Sequence, residues 1–389
     1  MIDFDFNKKC YGCASCRNIC PKGAITMVEN KDGFLIPKID KKKCVNCGLC
    51  EKACPRLSEI DRVKKEPLKC MYLYKKADNN LQKSTSSGIA FELSKKIIED
   101  GGYVCGCIWD NMVARHIITN DLNMLEKMQG TKYVQSDTQN IYKDVENHLK
   151  NDKKVLFIGM ACQIAGLKRY LRKDYPNIYY VQIICHGVPS PKVFSKYKDY
   201  IEEKYNKKLI DINFRYKGKG GWLTPNSMYY FEDGSKIQLT SDAYFVGFGR
   251  GLYDRNSCGN CQMKNNFDIA DIIIGDAWGI DSNFFRQSKN RGASSIIINS
   301  EKGKELFSSV EDLFNSKEVT LTNIAKENPA IIRAYKTNTN RDKYISKILN
   351  SNTFPEEEIL GKRHKIKEVL SRIGMLSTIK KVKYIMKHR

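Results

Sequence analysis

The sequence has no apolar run approaching the roughly 18 residues that a membrane-spanning helix needs. Its start, Met1-Ile2-Asp3-Phe4-Asp5, lacks the basic and apolar segments of a secretory signal. Both absences lead to the expectation of a cytoplasmic protein. Acidic residues are scarce beside basic ones, 44 against 66, which leaves a formal net charge of +22. Such an excess fits nucleic acid, an anionic membrane surface or an acidic redox partner. No helix-turn-helix, zinc-finger or RNA-recognition signature accompanies it, so nucleic acid is the least expected of the three.

Cysteine, by contrast, is plentiful, at 15 residues. A reducing compartment disfavours a disulfide framework, and metal ligation is the better reading. Eight of the cysteines fall in two copies of one pattern. Cys10-x-x-Cys13-x-x-Cys16-x-x-x-Cys20-Pro21 returns as Cys44-x-x-Cys47-x-x-Cys50-x-x-x-Cys54-Pro55. Three thiolates at intervals of three along a tight turn can reach three corners of one iron–sulfur cube. In bacterial two-cluster ferredoxins, which this pattern resembles, the cysteine before proline ligates the other cluster. The expected sets are therefore Cys10, Cys13, Cys16 and Cys54 for one [4Fe–4S] cluster, and Cys44, Cys47, Cys50 and Cys20 for the other. Zinc would typically take two separated Cys-x-x-Cys pairs, not two copies of this run.

Residues 1–58 thus read as a ferredoxin-type domain, with a small hairpin from the apolar stretches at 24–27 and 34–37. A charged linker is expected at 59–69, a larger domain at 70–320 and a basic helical extension at 321–389. The fold class is α/β, with mixed α and β elements. Strand-like runs occur at 71–74, 103–109, 155–158, 179–184 and 270–276, and helical periodicity at 89–100 and 163–172. Ser190-Pro191 is an N-cap followed by proline at the first helical position, and Asp233-Gly234 is a hairpin turn.

Seven cysteines remain. Cys162 lies where a strand passes into a helix, and Cys185 directly follows the next strand. If those strands are parallel neighbours, both thiols project from the carboxyl edge, where open α/β sheets place their ligands. Cys258-Gly259-Asn260-Cys261 supplies two more sulfurs. Together these four could hold a third [4Fe–4S] cluster. A dithiol couple, a zinc site or plain core filling are open alternatives. Cys70, Cys105 and Cys107 read as core residues.

From about Cys70 to Ile298 the chain resembles the beta subunit of coenzyme F420-reducing hydrogenases and F420-dependent dehydrogenases, which are flavoproteins with an iron–sulfur cluster. The stretches that carry the resemblance are Ser84-Thr85-Ser86-Ser87-Gly88, Gly130-Thr131-Lys132-Tyr133-Val134, Gly159-Met160-Ala161-Cys162-Gln163, Cys185-His186-Gly187, Cys258-Gly259-Asn260-Cys261 and Gly275-Asp276-Ala277-Trp278-Gly279. The resemblance implies FAD in this domain and a cluster on Cys162, Cys185, Cys258 and Cys261. Two positions depart from the family: Ser87 stands where a glycine is usual, and Ala161 where a proline is usual.

The flavin contacts expected are Ser84, Ser86, Ser87 and Gly88, with Lys132 and Tyr133 from the second motif. Ser84 to Gly88 runs into a helix, whose free N–H groups favour a phosphate. Lys132 would add charge to the FAD pyrophosphate. A plain serine N-cap and a solvated lysine are the competing readings. His186 is either a proton donor or structural, and Asp276 and Trp278 line the same edge without assigned chemistry.

The function expected is an iron–sulfur flavoprotein oxidoreductase. It would pass electrons between the clusters and FAD, with a one-electron carrier such as ferredoxin as partner. The substrate would be coenzyme F420 or a surface-polysaccharide-related molecule, since proteins of this architecture resemble some encoded among such biosynthetic enzymes. The alternative is an electron-transfer subunit without its own substrate site. In the tail, Ile366, Val369, Leu370, Ile373, Leu376, Ile379, Val382 and Ile385 recur every three or four residues among many lysines. That pattern suits a helix at a membrane interface or one docked on the fold.

Overall fold

The computed structural model describes residues 2–57, 66–77, 81–218, 220–224, 226–361, 370 and 375–387. Near the start, β1 (Ile25–Glu29) pairs antiparallel with β2 (Leu35–Ile39), Ile25 opposite Ile39. Short helices at Ser15–Ile19 and Leu49–Lys52 flank this hairpin. The linker expected at 59–69 falls partly outside the described residues, and its last member, Lys69, already opens a strand.

The body is an eight-stranded sheet. Its strands are β3 (Lys69–Lys75), β4 (Tyr103–Asp110), β5 (Val113–Thr119), β6 (Val155–Gly159), β7 (Ile178–Ile183), β11 (Ile272–Asp276), β12 (Ser294–Ile298) and β13 (Phe314–Glu318), in the order β13-β3-β12-β11-β7-β6-β4-β5. β4, β6, β7 and β11 run parallel, and β12 is antiparallel to both β11 and β3. Strand β3 therefore points the same way as the parallel group, so five carboxyl ends share one edge.

Both faces of this sheet are covered, which is why its strands are apolar on both sides. Tyr72, Cys105, Phe157, Tyr180 and Ile273 face one core, under the helices Ile141–Lys150 and Ala161–Leu171. Leu73, Val104, Leu156, Val181 and Ile274 face the other, with the helix Ile89–Glu99. Cys70 and Cys105 are buried among apolar residues, and Cys107 packs against a separate core. That third core belongs to an insertion between β7 and β11. The insertion consists of β8 (Leu209–Tyr216), β9 (Asn226–Phe231) and β10 (Lys236–Leu239) packed on helices Pro191–Tyr205 and Ala243–Gly249, and the helix Arg341–Asn350, from beyond β13, completes the core.

The tail is helical at Met375–Lys387. Ile366, Val369 and Ile373 lie outside the described residues. The expected single stripe divides: Ile385 packs on the core with Tyr384, whereas Ile379 and Val382 are exposed. Tyr384 donates its hydroxyl to the carbonyls of Trp278 (2.9 Å) and Ile280 (3.1 Å), and its ring meets Phe285. One face of this helix is thus a docked element. Among the described residues, no helix is long and apolar enough to cross a membrane.

Candidate functional site

No disulfide joins any of the 15 cysteines. The structure gathers the two expected ferredoxin sets separately. One pocket is lined by Cys10, Cys13, Cys16 and Cys54 with Ile2, Phe4 and Pro55. A second is lined by Cys20, Cys44, Cys47 and Cys50 with Pro21, Val45 and Leu49. Each cavity takes three thiols from one repeat and the pre-proline cysteine of the other. The crossing arises because the hairpin packs the two short helices side by side.

The two sets differ in exposure. Cys13, Cys16 and Cys54 are buried, whereas Cys47 is exposed and Cys20, Cys44 and Cys50 are half-buried. Burial pushes the Cys13 thiol up to about 12, and raises Cys16 and Cys54. Such thiols stay protonated at neutral pH unless a cation compensates the thiolate.

Cys162, Cys185, Cys258 and Cys261 also come together. Strands β6 and β7 are parallel neighbours, which meets the condition on which the edge placement of the two thiols rested. The helix Ala161–Leu171 begins at the edge, so Cys162 sits in its first turn. Cys185 follows β7, its Sγ 3.7 Å from Met160 Sδ, and the turn Asn256–Asn260 carries Cys258 over Gly187. The Cys162 thiol feels Cys261, Cys185 and Cys258 in turn, though burial is the larger cause of its raised pKa. Among the described residues, no group of three or more His, Cys, Asp or Glu side chains converges on a single-ion site. A tetrahedral zinc would need sulfurs about 2.3 Å from one centre.

This quartet abuts the buried ferredoxin set. Cys162 and Gly166 lie one turn apart on the same helix, and a methyl group added to Gly166 would stand 3.0 Å from Cys13 Sγ. Ser257 Oγ donates to the Cys10 carbonyl at 2.8 Å. Tyr11 bridges the two, its hydroxyl accepting from Gln262 N (3.1 Å) and Arg56 (3.1 Å).

The serine loop enters the same edge after β3. Ser87 is fully buried and its hydroxyl bonds Ser294 Oγ at 2.7 Å, while Thr85 Oγ1 meets Thr131 Oγ1 at 2.7 Å. Ser84 Oγ accepts from Gln129, and Ser86 Oγ donates to the Ala293 carbonyl. Gly88 has φ +82° and caps the helix Ile89–Glu99 without a side-chain bond, so it opens the helix N-terminus. Lys132 does not present a free charge to this loop. Its ammonium donates to the carbonyls of Lys127, Met128, Gln129 and Gly130 at 2.9–3.3 Å, closing the helix Leu122–Met128.

A different cation stands at this edge, beside Asp276 at the end of β11. Arg215, at the end of β8, is 94% buried on its side chain and pairs through one nitrogen with Asp276 at 3.2 Å. Among the described residues, its Nε and Nη2 make no well-formed hydrogen bond, although the Tyr133 hydroxyl lies close enough to interact with the guanidinium. Its guanidinium lies over the Trp278 ring, and Tyr133 stands beside it. Asp276 also accepts from Trp222 Nε1 (3.1 Å), and Trp222 stacks on Trp278 with centroids 4.6 Å apart. Lys217, two residues on, donates to the carbonyls of Ser86 (2.7 Å) and Leu81 (2.9 Å) and so fixes the loop. His186 stacks on Tyr335 at 4.8 Å.

Residues 9–57 match the 4Fe-4S dicluster domain, and residues 152–326 match the family described as the C terminus of the coenzyme F420 hydrogenase/dehydrogenase beta subunit. The chain thus carries, in sequence order, one segment that matches each of these two domain models. Among solved structures, a chain of the F420-reducing [NiFe] hydrogenase complex from Methanosarcina barkeri is similar at 17% identity, with a TM-score of 0.47 over 82% of this chain and 97% of that one. No curated protein matches the chain.

The cysteine sets lie in the dicluster domain and at its contact with the beta-subunit-like domain. The serine loop precedes the matched range, yet it lies against β12, which is inside that range. The residues present fit an anionic cofactor at this edge. A buried guanidinium that pairs with Asp276 through one nitrogen and lies beside the Tyr133 hydroxyl keeps donor capacity for an anion, and an uncapped helix N-terminus favours negative charge. Sequence reasoning did not single out Arg215, Lys217 or Trp222. A cation within the alternating strand Leu209–Tyr216 has no local mark that it faces inward.

Proposed function

We propose that the chain is an iron–sulfur flavoprotein oxidoreductase. It exchanges single electrons with a carrier protein at its surface and reduces or oxidises a small substrate at the sheet edge. The observation that carries this reading is continuity. The exposed and the buried cysteine sets share the first domain, Gly166, one turn from Cys162, meets Cys13, and Asp276, which pairs with Arg215, acts electrostatically on His186 beside Cys185.

Two [4Fe–4S] clusters would be held by the crossed ferredoxin sets, a third by Cys162, Cys185, Cys258 and Cys261, and FAD by Ser84 to Gly88, Tyr133 and Arg215. When bound, the clusters supply single-electron steps and the flavin two-electron, hydride-type chemistry. The protein's own part is to position and to exclude water. Burial around Cys13, Cys16 and Cys54 keeps solvent from the inner set, and Tyr11 fixes its spacing from the third quartet. Arg215 supplies the charge that Lys132 does not, because Lys132 is committed to a helix end.

The substrate proposed first is coenzyme F420, on the family of the second domain, with a sugar-linked substrate of surface-polysaccharide synthesis as the other. The test is turnover by the purified single chain, anaerobically, with reduced ferredoxin and oxidised coenzyme F420. Formation of reduced coenzyme supports the reading. Flavin bleaching without turnover, restored by a second subunit, would instead make the chain an electron-transfer subunit.

A further inference from the structure

The electrostatics of the outer cysteine set point to the kind of carrier it meets. Around the cavity lined by Cys20, Cys44, Cys47 and Cys50, the side chain of Lys22 stands on the rim. Lys41, Lys42 and Lys43 immediately precede Cys44, and Lys52 ends the helix that carries Cys50; all five lysines are exposed. The carboxylates near them in sequence are Asp40, which pairs loosely with Lys43 at 4.0 Å, and Glu51. Elsewhere in the hairpin, Glu29 pairs with Lys192 and Asp32 with Arg341, on the side that meets the second domain. Five cations against two carboxylates leave a local excess of three. At its centre stands Val45, 59% exposed, beside the exposed Cys47.

An apolar point ringed by like charges is the anatomy of a transient electron-transfer interface, where small area gives fast release and charge gives orientation. The buried set has no such surface. We infer that this face docks an acidic one-electron carrier protein, with the lysines steering its carboxylates and Val45 making the close contact. The inference rests on the electron-exchange reading above and names the partner of its outer site. Each encounter exchanges one electron between the carrier's own centre and this chain, one side oxidised as the other is reduced, with no proton moved.

The test is binding, measured anaerobically by calorimetry with a small acidic two-[4Fe–4S] ferredoxin as the probe. Exposed charge pairs are screened over about 10 Å at 0.1 M salt, so affinity should fall steeply between low and moderate salt. Lys41→Glu/Lys42→Glu/Lys43→Glu should weaken binding at low salt by about tenfold or more and flatten the salt dependence. Lys304→Glu/Lys317→Glu, exposed on the helix Glu301–Ser308 of the opposite sheet face and on the edge strand β13, should change it little. Iron per chain is measured on each variant. If the reversal variant loses metal, Lys41→Gln/Lys42→Gln/Lys43→Gln decides, with a smaller weakening expected. Equal weakening by the distant pair, or equal affinity for a basic cytochrome, would assign the attraction to net charge alone and overturn the inference. A chain that binds the ferredoxin as described yet contains no flavin would leave this inference standing and sink the oxidoreductase reading.

Discussion

Gly166 lies inside the helix Ala161–Leu171, where alanine ordinarily stabilises by about 1 kcal/mol over glycine. Here the sign should reverse. An added methyl would stand 3.0 Å from Cys13 Sγ and 3.1 Å from the Tyr142 hydroxyl, both buried. Gly166→Ala is expected to destabilise by about 1–3 kcal/mol, seen as a lower thermal midpoint. A raised midpoint would mean that the two domains do not meet as described. At Arg215 the expectation concerns the flavin. Arg215→Met should weaken flavin retention by about tenfold with iron content unchanged, the loss of about one charge-assisted hydrogen bond. Arg215→Lys should recover part of it, and fluorescence titration of flavin-stripped protein measures both. Unaltered retention would remove Arg215 from the site. The grouping of the eight ferredoxin-type cysteines was legible because their spacing is local and repeats, whereas the third quartet, spread from Cys162 to Cys261, left alternatives open. Arg215 was not, because its meaning depends on β8 meeting the serine loop across a long stretch of chain.

Among the elements, the buried parallel strands were legible as short apolar runs, and β6 and β7 fall as neighbours where the reading placed them. The outer strands were not. β13 exposes four of its five residues, and β5 mixes polar with apolar ones, so neither carries a strong period. The tail was half legible. Its helix exists, but Tyr384, which the apolar stripe omitted, makes the docking bonds. Ser190 shows how a cap can serve two domains. Its hydroxyl accepts from Val193 N at 3.3 Å, capping Pro191–Tyr205, and donates to the Asp32 carbonyl of the ferredoxin hairpin at 2.6 Å. Losing a cap costs about 1 kcal/mol, and a buried carbonyl left without a donor adds about as much again. Ser190→Ala should therefore lower stability by about 2 kcal/mol in urea unfolding followed by circular dichroism. A loss of a few tenths would show that the Asp32 bond contributes nothing.

At the scale of the whole molecule, two arginines fasten the domains. Arg255 donates to the carbonyls of Cys10 (2.6 Å) and Leu35 (3.0 Å) and to Gln135 (2.7 Å). Arg341 pairs with Asp32 at 3.0 Å, both almost fully buried, and the two guanidinium groups lie over the Phe34 ring. Removing one partner of a buried pair strands the other charge, at about 3–5 kcal/mol. Arg341→Met should therefore loosen the ferredoxin domain, detected as faster proteolysis near the hairpin. Adding Asp32→Asn should restore much of the protection, and failure to do so would contradict the pairing as the cause. Nothing in the sequence marked these fastenings, since Asp32 and Arg341 are 309 positions apart. They matter to the proposed relay, which needs the inner set held against the third quartet. The most direct test of that relay is the iron, acid-labile sulfide and flavin content of protein purified without oxygen. The account predicts about twelve irons and one FAD per chain, falling to about eight irons in Cys258→Ala/Cys261→Ala. About eight irons in the unaltered protein, with no flavin, would contradict it.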